Sequence, residues 1–101
     1  MKSPEEIIGE VAVITGVPAP AITGRRRTVP VVRARFLAIA AIMGAYSDWS
    51  LQSVGALFQR GHDTVINARR GHLTLLNTDP VYQMHARQVC RAVFYGPATL
   101  R

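Results

Sequence analysis

The segment from Leu51 to His72 carries side chains that suit the recognition of DNA bases. It reads LQSVGALFQRGHDTVINARRGH, two apolar segments separated by a short break that contains a glycine. Its second half places imidazole, acidic, amide and basic groups at the start of an apolar helix. Such groups can bond to base edges in the major groove, and the free N–H groups of a first helical turn favour a phosphate. The segment is either a helix-turn-helix that reads DNA or an ordinary helical hairpin with a solvated outer face.

The distribution of charge favours nucleic acid as the partner. The chain has 12 Lys+Arg against 6 Asp+Glu, a formal charge of +6, and Lys2 is its single lysine. Residues 25–35 contain arginines and no acid, whereas residues 1–24 contain Lys2 and three glutamates. Guanidinium groups suit phosphate and guanine, and a basic segment before a helix-turn-helix can supply phosphate or minor-groove contacts. Double-stranded DNA is therefore the expected partner, and the first helix is a poor candidate for touching it.

Helix-start signals divide the chain into about six helices with no period-two strand, which predicts an all-α fold. Ser3 with Pro4 and Glu6 predicts a capped first helix that Gly16 ends, and a short helical turn is expected after Pro20. The remaining predicted elements are a helix from Pro30 to about Tyr46, one capped by Ser50 over LQSVGALF, one from about His62 to Asn77 and one from Pro80 to Gly96 with Asp79 as its cap.

The helix after the break is expected to be amphipathic. Val65, Ala68, Leu73 and Leu76 fall roughly on one face, which we predict to be buried. His62, Asp63, Asn67 and Arg70 lie away from that face and are candidates for DNA contact. Asp63 has a second interpretation as the N-cap of this helix, and the sequence leaves the two open.

Length and composition bound the remaining possibilities. At 101 residues we expect a single helical domain over 1–101, in the cytoplasm and associated with the nucleoid. The longest apolar run, Phe36 to Tyr46, is about half of a membrane span, and no signal peptide is recognised at the N-terminus, so no membrane partner is expected. Cys90 excludes an internal disulfide and is expected to be a small buried hydrophobe. The three histidines lack metal-ligand spacing, a paired carboxylate or a nucleophile, so we expect no enzyme activity, metal, cofactor or nucleotide.

The residues themselves resemble a known family. The order RRR, VRARFLAIA, WSLQSVGALFQRGHDTVINARR over about residues 5–80 resembles the C-terminal DNA-binding domain of the bacterial replication initiator DnaA, with an additional C-terminal helix at about 80–95. The spaced matches are Arg27, Arg33, Arg35, Ser50, Leu51, Val54, Gly55, Phe58, Arg60, His62, Thr64, Val65 and Ala68.

The resemblance implies a reader of DnaA-box-like duplex sites. By this carry-over Arg27 enters the minor groove, Arg33 and Arg35 lie near phosphates, and His62 and Thr64 lie at the major groove. Backbone groups of Ser50 and Leu51 lie near a further phosphate. The complete set of expected DNA contacts is Arg25, Arg26, Arg27, Arg33, Arg35, Ser50, Leu51, Arg60, His62, Asp63, Thr64, Asn67 and Arg70.

This chain also departs from the family's pattern. It has Gly61-His62-Asp63-Thr64 where Asp-His-Thr-Thr is usual, after a turn one residue shorter, and Phe36 stands where a polar residue is common. Asp63 cannot contact a thymine methyl as threonine does, but it can accept from cytosine N4. No G-x-x-x-x-G-K-[ST] phosphate loop is present, so we expect no ATP-driven origin melting by this polypeptide alone.

Control of replication initiation or of transcription is the expected outcome of DNA binding, with replication or transcription proteins as possible partners. A protein-interaction module of the same fold, acting on the replication machinery, is the alternative function. A basic amphipathic helix that binds anionic lipid is a third possibility.

Overall fold

The computed structural model describes residues 2–95, which form six α-helices and a π-helical turn joined by short loops. They are α1 (Pro4–Thr15), α2 (Ala19–Thr23), α3 (Val29–Ala45), α4 (Leu51–Ala56), α5 (His62–Thr78), α6 (Pro80–Cys90) and the π-helical turn Arg91–Tyr95. Residues 2–95 contain no β-strand. The predicted all-α class with about six helices is confirmed, and the predicted helix end at Gly96 lies outside the described residues.

Local capping interactions set three of the helix starts. The Ser3 hydroxyl accepts from the N–H of Glu6 at 3.1 Å, and the Glu6 carboxylate accepts from the N–H of Ser3 at 2.7 Å. Ser50 caps α4 and Asp79 caps α6 through backbone N–H groups three residues further on. Each cap satisfies a donor that the first helical turn leaves free. All three predicted caps are confirmed.

Helix α3 runs through the centre of the fold and contacts every other helix. Ile39 and Ile42 of α3 have no exposed surface, and neither has Ile7 of α1. Burying a side chain of this size contributes about 1.5–3 kcal/mol. Helix α5 packs on α3 and α4, so this core also fixes the position of the helix that carries the polar first turn.

Two side chains that the sequence places in the core are exposed. Leu73 is 57% exposed because His72 takes the inward position on α5, where its Nδ1 lies 2.6 Å from the hydroxyl of buried Tyr82. The predicted burial of Cys90 is also wrong, because this residue ends α6 on the surface of the helix. Both errors concern which face of a helix its neighbours cover.

Among residues 2–95, no helix has the length and apolar character needed to cross a bilayer. The same residues contain no group of three or more His, Cys, Asp or Glu side chains placed to hold a metal ion.

Candidate nucleic-acid interface

The turn between α4 and α5 is tight because a glycine allows its backbone to fold back on α4. The N–H of Arg60 donates to the carbonyl of Gly55 at 2.9 Å. A Cβ atom on Gly55 would lie 2.5 Å from the Arg60 carbonyl oxygen and 2.9 Å from that of Gly61. Gln59 completes the turn in the left-handed region, with φ of 56°. These contacts give the helix-turn-helix that the sequence leaves as one of two alternatives.

The first turn of α5 presents its polar groups to solvent. Gly61 is the N-cap and has no side chain to satisfy the first N–H groups. His62 and Asp63 follow, with Nε2 of the histidine 3.2 Å from Oδ1 of the aspartate, and their side chains are 57% and 87% exposed. The N-cap interpretation of Asp63 is therefore wrong. The helix start is left open to an anion, and Asp63 is accessible beside it.

A cleft of about 410 Å³ separates the basic loop, residues 24–28, from the first turns of α5. Its base is apolar and comes from α3 and α5, whereas polar side chains come from the loop, the turn and α5. Its lining residues are Arg27, Val32, Arg35, Phe36, Ile39, Arg60, Thr64, Asn67 and Ala68. Five of the expected DNA contacts thus line one cleft, namely Arg27, Arg35, Arg60, Thr64 and Asn67.

Arg35 also reaches this region, but from inside the protein. It is only 5% exposed, and its Nε donates to the carbonyl of Ile22 at 2.7 Å. Its Nη2 lies 3.0–3.1 Å from three further carbonyl oxygens, those of Ala21, Gly24 and Arg26. Burial lowers the pKa of the guanidinium, and the charges of Arg60 and Arg27 lower it further. Arg35, which the resemblance places near a phosphate, is thus buried, because irregular backbone around α2 needs buried donors.

Arg60 approaches the same loop from the helix-turn-helix. Its Nη2 donates to the carbonyl of Gly24 at 2.8 Å, which joins the turn before α5 to the start of the basic loop. Its Nε is buried and has no hydrogen-bond partner within the described chain. The guanidinium therefore serves as a contact between two parts of the interface and retains an unsatisfied donor.

Arg33 lies away from the cleft. Its Nη2 is 2.7 Å from Oδ2 of Asp79, the residue between α5 and α6, and its side chain is 38% exposed. It lines a separate groove with residues that include Val29 and Tyr82. Arg33 therefore does not line the cleft that contains Asn67. A phosphate contact by Arg33 would compete with its ion pair to Asp79.

The other expected contacts lie around the cleft or further off. Arg25 and Arg26 are exposed in the basic loop, and Arg70 is exposed on α5. Asp63, Asn67 and Arg70 are spaced four and three residues apart, so they lie on one face of α5, and of these three Asn67 lines the cleft. The Ser50 hydroxyl is used as the α4 cap and Leu51 is partly buried against the core, and neither lines the cleft.

Gly24 is the contributor that sequence reasoning missed. Its carbonyl accepts from both Arg35 and Arg60, and a Cβ atom on Gly24 would lie 2.8 Å from the Pro20 carbonyl oxygen. The available signal was a glycine at the end of a short helix and directly before three arginines. Nothing local in the sequence shows that two distant guanidinium groups meet there.

The tight turn, the exposed first turn of α5 and the adjacent arginine loop define a helix-turn-helix protein of the DNA-binding class. Residues 4–71 match the family described as "Bacterial dnaA protein helix-turn-helix". The chain belongs to this family, whose domains bind double-stranded DNA. The match ends at Gly71 within α5, so α6 and the π-helical turn lie beyond it. A comparison with curated proteins gave no match.

Proposed function

We propose that this protein is a non-enzymatic, sequence-preferring reader of DnaA-box-like duplex sites. The first turn of α5 enters the major groove, and Arg27 enters the adjacent minor groove. By binding these sites on the nucleoid, the protein controls replication initiation or transcription. It does so by competing with replication or transcription proteins or by recruiting them. Residues 1–101 act as one DNA-binding unit.

One observation carries the proposal: Arg27 of the basic loop and Thr64 and Asn67 of α5 border the same cleft. A helix in the major groove and an arm in the neighbouring minor groove must straddle one strand of phosphates between them. The cleft is where that strand would run. Arg60 lines it, and the residues lining it include no acid.

The remaining groups fall into two roles. Arg25 and Arg26 of the basic loop and Arg70 of α5 are exposed cations and are assigned to phosphates, which adds affinity without reading sequence. His62 and Asp63 are exposed at the tip of α5 and are assigned to base edges, with Asp63 accepting from a cytosine amino group. Arg33, paired with Asp79, is left out of the proposed contact set.

Selection of bound duplexes from random DNA by the full chain tests this function. We expect an enriched motif, and titration of that motif should show an affinity that falls steeply with salt. Arg26→Ala should reduce the slope of log K against log salt by about 0.9, because one phosphate contact is lost.

Lys2→Ala is the matched control. It also removes one positive charge, but this lysine pairs with Glu10 on α1 at 3.1 Å, far along the chain from the loop. We expect no change in its salt slope. Absence of any enriched motif, or equal slopes for Arg26→Ala and wild type, would contradict the proposal.

A further inference from the structure

Two guanidinium groups from different parts of the sequence converge on one carbonyl oxygen. Nη2 of Arg35 lies 3.0 Å from the carbonyl oxygen of Gly24, and Nη2 of Arg60 lies 2.8 Å from the same atom. Arg35 belongs to the central helix α3, and Arg60 belongs to the turn that precedes α5. Gly24 opens the basic loop. The loop is thus joined both to the core and to the helix-turn-helix.

Arg35 forms hydrogen bonds to the chain both before and after Gly24, where the basic loop begins. Two of its acceptors, Ala21 and Ile22, belong to α2 before the loop, and the carbonyl of Arg26 lies within it. The Arg26 carbonyl is part of the peptide group that leads directly into Arg27. Fixing this planar group fixes the direction in which the chain enters Arg27. The Arg27 side chain itself is exposed, so its starting point is held while its guanidinium remains free.

We infer that Arg35 and Arg60 are positioning residues that hold the Gly24 carbonyl and so preset Arg27 at a fixed distance from α5 before DNA arrives. Neither needs to contact DNA for this purpose. The inference rests on the proposed function, since it assigns a role to Arg27 in reading one end of the site. It also gives Arg35 a role other than phosphate contact. No other side chain can make the four carbonyl contacts of this buried arginine, whereas lysine can replace arginine at a phosphate contact.

Arg35→Lys tests this distinction because it keeps the charge and removes the planar fork. A single ammonium group cannot span four carbonyl oxygens, so the loop of the free variant should be less ordered. DNA binding must then supply the free energy that orders the loop, and we expect affinity for the preferred duplex to fall about tenfold. Preference at the base pairs read by Arg27 should flatten, and the salt slope should stay unchanged. Arg87→Lys, at an exposed arginine of α6 outside the proposed interface, is the matched control and should retain both affinity and preference.

A double-mutant cycle separates positioning from a general loss of fold. If Arg35 acts through Arg27, Arg27→Ala should cost much less in the Arg35→Lys background than in wild type. Additive losses would overturn the inference, as would a salt slope reduced by about 0.9 in a charge-removing Arg35→Met variant that remains folded, since that change marks a direct phosphate contact.

Order in the free protein gives a readout that does not depend on DNA. Backbone ¹⁵N relaxation of Arg35→Lys should show lowered order parameters at residues 25–28 and unchanged values in α1 and α6. If Arg35→Lys fails to fold, Arg60→Met serves instead, because it removes one bond to Gly24 and leaves those of Arg35. Unchanged loop order in the folded variant overturns the inference whether or not the protein binds DNA. If the loop becomes disordered in the variant but wild type shows no sequence preference for DNA, the positioning role is supported and the proposed function is contradicted.

Discussion

Replacing Gly71 by alanine sets helix propensity against the packing of α5 on α3. Gly71 lies inside α5, and a Cβ atom there would overlap the ring of Phe36, with Cζ 2.6 Å and Cδ2 2.9 Å away. Alanine in a helix interior is favoured over glycine by about 1 kcal/mol. Forcing a methyl group into filled space costs about 1–3 kcal/mol. Because the ring is rigid and packs on the core, we expect a steric cost in the upper part of that range, about 2–3 kcal/mol, and so a net loss of about 1–2 kcal/mol.

Urea and thermal unfolding of the variant measure this loss. A domain of this size shifts its Tm by about 4 °C or more for each kcal/mol, so Gly71→Ala should melt about 4–8 °C below wild type. Gly9→Ala is the matched control, because Gly9 lies inside α1 with open space where its Cβ would be. It should gain about 1 kcal/mol from propensity alone.

A second background makes the reasoning refutable. In Phe36→Leu the ring is absent, so Gly71→Ala should change sign and stabilise that protein by up to about 1 kcal/mol. If Gly71→Ala stabilises wild type as Gly9→Ala does, or if its effect is the same in both backgrounds, the close approach of α5 to α3 at Phe36 is refuted.

Three other side chains give separate outcomes. Asp63→Thr should raise affinity for duplex DNA by removing an exposed negative charge and move base preference from cytosine towards thymine; parallel selections check this, and identical motifs would exclude base contact by Asp63. Burial lowers the pKa of His72, so the folded protein binds fewer protons than the unfolded chain, and its stability should decline as pH falls below about 6.5. Urea unfolding of His72→Gln should show a smaller decline, and the same dependence of stability on pH in variant and wild type would refute this cause. Gln59→Gly should stabilise by about 0.5–1 kcal/mol because φ is positive there, with Gln59→Ala as the control that keeps the strain and should show no such gain.

Helix starts could be predicted from the sequence because their causes are local. The caps at Ser3, Ser50 and Asp79 each act on a backbone group three residues away, so the residue types and their spacing contain the whole interaction. The helix-turn-helix follows from the same kind of signal, with Gly55 and Gly61 placed where α4 and α5 meet. These features fix the fold class and the position of α5.

Side-chain environments could not be predicted in the same way. Arg33 and Arg35 belong to one basic run, yet one pairs with Asp79 and the other is buried against carbonyl groups of α2 and the loop. Charge is a property of the residue, whereas burial depends on segments distant in sequence. The same reason explains Leu73, whose exposure is decided by α6 and by the inward position of His72.

Because Arg27, Arg35 and Arg60 converge, we expect the stability of the free protein and its affinity for DNA to respond to ionic strength in opposite ways. Burial is the main cause of the lowered pKa of Arg35, and the nearby charges of Arg60 and Arg27 lower it further, so the three groups repel one another. Added salt screens this repulsion and strengthens the folded state, while it weakens DNA binding through competition for phosphate. At low ionic strength, therefore, the unbound molecule unfolds most readily and the duplex holds it most tightly. The stabilisation that bound DNA adds to the folded protein is therefore expected to be largest under those conditions.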